Sequence, residues 1–125
     1  MTERTILILG GGFAGMFAAR ELQRQVGSVA RIELINEVNY FVFQPLLPEV
    51  AAGAVSIRDA VSPLRRLLPG VRVRQAHIFD IDLERKVVVI FQGLQRCYTE
   101  VPYDQLVLAL GQHVDLSRFP GLADH

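Results

Sequence analysis

The chain has 125 residues, of which 50% are hydrophobic and 21% are charged. This length corresponds to about one domain, and the apolar content is high enough for a packed core, which excludes a globally disordered protein. Thirteen basic and thirteen acidic residues give a formal net charge of zero. The chain therefore lacks the positive field on which nucleic-acid binding depends, and any phosphate group must be recognised by local structure.

The cysteine content and the apolar runs bound the redox chemistry and the location of the protein. Cys97 is the single cysteine, so the chain cannot form an internal disulfide or a dithiol pair. Its side chain is expected to pack as a small hydrophobe in a strand. The N-terminus lacks the pattern of a signal peptide, and no apolar run approaches the ~20 residues that span a bilayer. These features favour a cytoplasmic protein with at most peripheral membrane contact.

The start of the sequence predicts a βαβ unit over about residues 4–37. Thr5–Leu9 is a continuous β-prone run, typical of a central parallel strand, and Gly10–Gly12 form the turn after it. Phe13–Gln25 has helical periodicity, and Arg31–Ile35 predicts a second strand. The residues expected on one face of the helix, away from its basic side, are Ala14, Phe17, Ala18, Glu21, Leu22 and Gln25.

The next segment predicts a loop and a helix over about residues 38–70. Prolines within Asn39–Gly53 make one uninterrupted helix improbable, so a shaped loop with a short helical turn is expected there. A helix is expected to begin near Ser56 and to end at Pro69-Gly70. The residues expected to line its apolar face are Ala60, Leu64, Leu67 and Leu68.

After Gly70 the apolar period changes from helical spacing to two. This pattern predicts a small strand and an antiparallel meander over about residues 71–102, then a closing apolar strand over about 103–111. Residues 112–125 are expected to be a connection that leads elsewhere. The predicted fold class is α/β: a Rossmann-like three-layer parallel sheet with a small antiparallel β-meander, incomplete without a further C-terminal part.

The sequence Gly10-Gly11-Gly12-Phe13-Ala14-Gly15 satisfies the pattern G-x-G-x-x-G. Gly10 permits the tight turn, Gly12 lets the backbone approach a pyrophosphate, and Gly15 lets the helix pack close to the strand. The diphosphate would lie on the N–H groups and the positive dipole end of the helix at Phe13 and Ala14. The motif alone would indicate only a flexible turn, but its position between a strand and a helix favours dinucleotide binding.

The dinucleotide-binding pattern also predicts an acidic residue at the end of the second strand, where it accepts the ribose hydroxyls. Asn36 occupies this position, and its side-chain oxygen accepts hydrogen bonds without charge assistance. Glu37 is the candidate to replace the missing acid. The alternative is that Asn36 only ends the strand and that Glu37 is a solvated surface charge.

Three segments carry a family resemblance: Ile6–Gly15, Asn39–Ala51 (NYFVFQPLLPEVA) and Tyr103–Gly111 (YDQLVLALG). Together they resemble the type II (non-proton-pumping) NADH:quinone dehydrogenases over nearly the whole chain. The resemblance implies non-covalent FAD, rather than NAD, at the first glycine motif, with NADH in a second domain and a membrane quinone as acceptor. It departs at Leu110, where that family usually has threonine.

The resemblance also implies cofactor contacts outside the glycine motif. Gln44 and Pro45 match its middle segment and are predicted to contact the flavin, and Ala109 and Gly111 match its closing segment. The cysteine pair of disulfide-reducing relatives is missing, which excludes dithiol chemistry. No catalytic acid, base, nucleophile or metal ligand is identified, and His77 lacks metal-ligand spacing and an adjacent carboxylate motif.

By the same resemblance, a second domain and a membrane anchor would lie beyond His125, so the segment alone is expected to be inactive. The full-length protein would be an FAD-dependent NADH dehydrogenase-like oxidoreductase, cytoplasmic or peripheral on the inner face of the cytoplasmic membrane. We expect the segment itself to form a homo-oligomer through its closing strand. Two alternatives stay open: a flavoprotein reductase with a soluble protein acceptor, and a stand-alone nucleotide-binding or regulatory module without catalysis.

Overall fold

The structure is a computed structural model that describes residues 3–93, 97–112 and 115. Most of the expected connection over residues 112–125 lies outside this range. The elements in chain order are β1 (Arg4–Leu9), α1 (Phe13–Val26), β2 (Ala30–Asn36), β3 (Tyr40–Val42), a 3-10 turn (Gln44–Leu46), α2 (Leu47–Ala51), α3 (Ile57–Ala60), β4 (Val61–Pro63), α4 (Leu64–Leu67), β5 (Arg72–Gln75), β6 (His77–Asp82), β7 (Val87–Gln92), β8 (Cys97–Pro102) and β9 (Gln105–Leu108).

A four-stranded parallel sheet in the order β5-β2-β1-β9 is the centre of the fold. β1 lies between β2 and β9, with Ile6 opposite both Ile32 and Gln105. Two hydrogen bonds hold the start of β9 against β1. Thr5 N–H donates to Asp104 Oδ2 at 2.7 Å, and the Thr5 carbonyl accepts from Asp104 N–H at 3.0 Å. The predicted α/β fold class with a Rossmann-like parallel sheet is confirmed.

Two hydrophobic cores lie on opposite faces of this sheet. Successive side chains of a strand point to opposite faces, so Ile6 and Ile8 pack toward α1 and α4 whereas Leu7 and Leu9 pack toward the meander. Glu33 of β2 is buried on the meander side. Its Oε1 lies 2.7 Å from Arg74 Nε of β5 in an ion pair that is not a well-aligned hydrogen bond. The layers are therefore helices, parallel sheet and meander.

The meander consists of β6, β7 and β8 in an antiparallel sheet, with a register shift between Ile78 and Asp80. Its beginning corrects the expected boundary at residue 71. β5 pairs in parallel with β2, so it belongs to the central sheet, and the meander begins at His77. A short run of alternating residues has the same period in both kinds of sheet, and the sequence alone could not assign β5 to one of them.

The expected burial of α1 is wrong, although the helix itself is confirmed. Phe17 of the predicted face is 52% exposed, and Glu21 is also exposed. The buried residues are instead Gly15, Met16 and Ala19. Gly15 packs against the backbone of the glycine turn, which sets the inward face of the helix. A glycine adds nothing to a hydrophobic pattern, so the pattern could not reveal that face.

The expected helix from Ser56 to Pro69 is also corrected. Its start is right, because Ser56 Oγ accepts a hydrogen bond from Arg58 N–H at 3.3 Å as the N-cap of α3. The helix ends at Ala60, however, and strand β4 separates it from α4. Pro63 explains the break, since proline disfavours helical geometry in the residue before it and cannot donate an intrahelical bond. Leu64 and Leu68 are buried as expected.

Cys97 is exposed at the start of β8, so the prediction that it packs in a core is wrong. β8 is an edge strand of the meander and pairs on one side only, with β7, in the described part of the chain. The longest helix in that part, α1, has 14 residues, and none there has the length and apolarity needed to cross a bilayer.

Candidate nucleotide-binding site

The glycine turn between β1 and α1 lies at the carboxyl end of the central strand. Gly10 has a φ of +103°, which side chains other than glycine rarely adopt, and its N–H donates to the Ile35 carbonyl at 2.9 Å. A Cβ atom on Gly10 would collide with the carbonyl of Ala109, and one on Gly15 would collide with the carbonyl of Gly10. These two glycines are therefore required by the packing of the protein itself.

Gly12 differs from both, because a Cβ atom placed on it would meet no atom of the described residues within 4 Å. Its backbone is extended, with a φ of −77°, which any residue can adopt. Nothing in the described part of the chain therefore requires glycine at this position. The space beside it is open, as expected if the backbone must leave room for a bound group.

The N-terminus of α1 points its backbone donors into this space. The first intrahelical bond runs from Met16 N–H to the Gly12 carbonyl at 2.9 Å. The N–H groups of the first turn before Met16 therefore have no acceptor within the helix. No side chain among the described residues caps this end, and the first turn contains no acidic residue. The positive end of the helix dipole is thus not neutralised locally, and this arrangement suits an anion such as a diphosphate.

Asn36 ties the glycine turn to the loop that follows β2. Its Oδ1 accepts from Gly11 N–H at 2.9 Å, and its Nδ2 donates to the Val38 carbonyl at 2.9 Å. A Cβ atom on Gly11 would lie within 3.0 Å of the Asn36 amide. The side chain predicted to contact the ribose is therefore engaged with the backbone of the turn, and each of its polar atoms has a partner.

Glu37 projects from the next position toward the meander. Its Oε1 lies 2.5 Å from His77 Nδ1, and its side chain remains 66% exposed. Beside it is an open cavity of about 520 Å³ at the carboxyl edge of the sheet. The residues that line this cavity are Glu37, Gln75, Ala76, His77, Phe91, Gln92 and Gly93.

An aromatic cluster joins the first turn of α1 to the segment that contains Gln44 and Pro45. The ring of Phe13 makes edge contacts with Phe41 at 5.0 Å and with Phe43 at 5.6 Å between centroids. Phe41 is buried, whereas Gln44 and Pro45 in the following 3-10 turn are exposed. The cluster therefore places both exposed residues on the same side of the molecule as the glycine turn.

The residues that follow β9 pack against the glycine turn. Ala109 N–H donates to the Leu9 carbonyl at 2.8 Å, which continues the pairing of β9 with β1 beyond Leu108. Gly111 then has a φ of +74°, and a Cβ atom there would meet none of the atoms that the structure describes within 4 Å. Its backbone conformation, rather than crowding, favours glycine at this position.

The structure brings together most of the residues that the sequence predicts for the site. Gly10, Gly12, Asn36 and Ala109 lie around one strand end, while Glu37 lies at the edge toward the meander. His77 was not predicted as a site residue. It is forty positions from Glu37 in the sequence, and no spacing rule links a residue at the start of one strand to the end of another.

The fold and this site define the class of protein: an α/β domain with a glycine turn built for a dinucleotide. The family model described as pyridine nucleotide-disulphide oxidoreductase matches residues 4–125. The chain therefore belongs to that family.

Two curated relatives support the resemblance to type II NADH:quinone dehydrogenases. The type II NADH:quinone oxidoreductase of Staphylococcus aureus is 31% identical over 98% of this chain, and the mitochondrial external alternative NAD(P)H-ubiquinone oxidoreductase B3 of Arabidopsis thaliana is 32% identical over 98%. The chain spans only 30% and 22% of these two relatives. The NDH2 of Plasmodium falciparum in complex with NADH shares the fold, with a TM-score of 0.88 at 23% identity over 99% of this chain and 25% of that one.

Proposed function

We propose that this segment binds FAD at the glycine turn. The diphosphate lies over Gly12, Phe13 and Ala14 at the N-terminus of α1, and the adenosine ribose lies beside Asn36 and Glu37. The observation that carries this proposal is the open space at Gly12, next to donors that no local acid neutralises. Family membership supports a dinucleotide as the bound group.

The remaining site residues are assigned by their place around the same turn. Gln44 and Pro45 contact the flavin end of the cofactor, because the aromatic cluster holds their segment against the first turn of α1. Ala109 supports the turn from below through its backbone, and Gly111 turns the chain away from the cofactor. No residue of the segment acts as an acid, base or nucleophile in this proposal; its residues bind and orient.

In the whole protein, we place the segment in an NADH dehydrogenase-like oxidoreductase that passes electrons from NAD(P)H via FAD to a quinone. FAD supplies the redox chemistry when bound, and the chain supplies position and electrostatics. The names of the curated relatives support a quinone acceptor. We place such a protein in the cytoplasm, peripheral on the inner face of the cytoplasmic membrane.

The central test replaces Gly12. Gly12→Val places a branched side chain in the space assigned to the diphosphate, and we expect at least a hundredfold loss of affinity for FAD or ADP in calorimetric titration. Gly12→Ser is the matched variant, because serine is a favourable N-cap that still adds a Cβ atom. We expect the serine variant to bind weakly and to be at least as stable as the parent in urea denaturation.

A contrasting variant separates a binding defect from a folding defect. Gly15→Ala places a methyl group against the carbonyl of Gly10, so it should lower the free energy of unfolding by about 1–3 kcal/mol. Parent-like ligand affinity in Gly12→Val would show that the diphosphate lies elsewhere. For the whole protein, a flavin absorption spectrum with NADH-dependent quinone reduction supports the redox assignment, and flavin without quinone reduction contradicts the acceptor.

A second candidate function is nucleotide binding without catalysis. The described residues cover the central sheet on both faces with their own cores, which favours a segment that folds without further chain. In that case the 125-residue chain should bind FAD stoichiometrically. Weak binding of the ADP half alone would instead favour the oxidoreductase assignment.

A further inference from the structure

Glu37 and His77 form a contact that the proposed function does not use. His77 Nδ1 lies 2.5 Å from Glu37 Oε1, and both side chains are about half exposed or more. We propose that His77 is a positioning residue, which holds the Glu37 carboxylate in place to accept the hydroxyls of the adenosine ribose. This inference rests on the proposed binding of a dinucleotide at the glycine turn, and it deepens that proposal by assigning specificity for the ribose.

The backbone around Glu37 is held by the same strand end that carries His77. Ala76 N–H donates to the Asn36 carbonyl at 3.0 Å, and Gln75 Nε2 donates to the Glu37 carbonyl at 3.1 Å. These bonds place the start of β6 directly beside the end of β2. The approach of Glu37 and His77 is therefore set by hydrogen bonds to the main chain of the two strand ends and not by chance approach of two long side chains.

The imidazole ring is in turn restrained by the meander. His77 is paired with Phe91 in the ladder between β6 and β7, and the two rings lie 4.7 Å apart between centroids with a tilt of 41°. Gln92 Nε2 donates to the Gln75 carbonyl at 2.8 Å, which joins β7 to the same strand end. A histidine packed on an aromatic ring has fewer orientations than a free surface residue, so it can direct the carboxylate it contacts.

The contact leaves the carboxylate suited to ribose. His77 engages Oε1. In this proposal the other oxygen, Oε2, accepts the ribose hydroxyl, in a hydrogen bond that the charge of the carboxylate strengthens. An exposed glutamate loses side-chain freedom when it binds a ligand. Because His77 restricts Glu37 before binding, that loss is smaller, which raises affinity for a ligand with hydroxyls at this position.

The experiment compares two probes, ADP and 2′-deoxy-ADP, on the 125-residue chain by calorimetric or NMR titration. The readout is the ratio of their dissociation constants, because damage to the fold lowers both affinities together whereas loss of ribose recognition changes the ratio. We expect the parent to prefer ADP. His77→Phe keeps a ring against Phe91 but removes the nitrogen, and it should reduce the preference by about three- to tenfold.

Three further variants complete the test. Glu37→Gln should reduce the preference at least as much as His77→Phe, and the double variant should lose no more than Glu37→Gln alone, because His77 acts through Glu37. His77→Asn returns a donor nitrogen near the position of Nδ1 and should restore part of the preference. Glu84→Gln, an exposed site in the turn between β6 and β7, controls for the removal of one negative charge.

The outcomes distinguish failure of the inference from failure of the proposed function. An unchanged ratio in His77→Phe, with a reduced ratio in Glu37→Gln, overturns the role of His77 and leaves nucleotide binding intact. A ratio that neither variant changes also overturns the inference, because Glu37 would then not contact the ribose. Absence of ADP binding to the parent chain overturns the proposed function and the inference with it.

Discussion

At the scale of single residues, Asn36 has a clear structural role at the site. Both of its polar atoms are bonded to backbone, Oδ1 to Gly11 N–H and Nδ2 to the Val38 carbonyl. Because Gly11 N–H already donates to Asn36, this N–H group does not need an acceptor on a bound nucleotide. Asn36 therefore shapes the turn before any ligand binds, whether or not it also touches the ribose.

Removal of the Asn36 side chain should destabilise the protein. Asn36→Ala leaves Gly11 N–H and the Val38 carbonyl without their partners, and we expect the free energy of unfolding to fall by about 1–3 kcal/mol in urea denaturation. Asn36→Asp keeps an acceptor for Gly11 but places an oxygen against the Val38 carbonyl, so an intermediate loss is expected. Parent-like stability of Asn36→Ala would mean that water replaces both bonds at no cost.

The sequence predicts the residues that form the turn much better than those that meet it from other strands. Gly10, Gly12 and Gly15 follow a fixed spacing with one physical cause for each position. The contact between Glu37 and His77 depends instead on how β5 leads into β6, and the one-dimensional pattern contains no distance between those positions. Likewise, the ion pair of Glu33 with Arg74 follows only from the pairing of β2 with β5.

At the scale of elements, the existence of each strand in the central sheet could be predicted, but the faces and breaks of the helices could not. Continuous apolar runs predict β1 and β9 because both faces of a central parallel sheet exclude water. The inward face of α1 follows from Gly15, which has no side chain to appear in a pattern. The division between α3 and α4 follows from Pro63, whose local effect outweighs the apolar spacing around it.

On the exposed side of α1, Glu21 forms hydrogen bonds with Arg24 and Gln25, and these bonds change its pKa. Hydrogen bonds from Arg24, at 3.0 and 2.5 Å, and from Gln25 lower the pKa of the Glu21 carboxyl from its ordinary value of 4.5 to about 2. A lowered pKa in the folded state means that this carboxylate stabilises the fold above about pH 4.5, and that the contribution is lost as the pH falls toward 2.

The change that tests this assignment is Arg24→Gln. It removes the first and largest cause of the shift, so NMR titration should show the pKa of Glu21 moving back toward 4.5. Arg20→Gln, on the same helix, is the matched control and should leave the titration of Glu21 in place. The effect on the free energy of unfolding should be small because the pair is exposed. A midpoint near 4.5 in the parent protein would contradict the assignment.

At the scale of the whole molecule, β9 is an edge strand of the described sheet. It pairs with β1 on one side, and nearby apolar side chains are exposed, with Leu108 at 59% and Leu110 at 56%. An edge of this kind offers unpaired N–H and C=O groups to another chain.

We expect the 125-residue chain to associate with itself through this edge. Light scattering should show a dimer or a larger assembly at high concentration, and Leu108→Lys should weaken the association by at least tenfold, because a charged side chain discourages edge pairing. Ile57→Lys is the matched control, since Ile57 is 62% exposed and lies in α3, outside the central sheet. A strictly monomeric parent chain would show that the edge is protected in another way.

The two cores on either side of β1 raise the question of what prevents that strand from slipping. A shift by one residue would exchange Ile6 and Ile8 with Leu7 and Leu9, and since both sets are apolar, burial alone would hardly distinguish the two alignments. The shift would, however, place Leu9 or Gly11 where Gly10 now adopts its positive φ beneath Ala109, and leucine cannot occupy that place. The glycine that shapes the cofactor turn thus also disfavours the neighbouring alignment of the sheet that would bring Leu9 to its place.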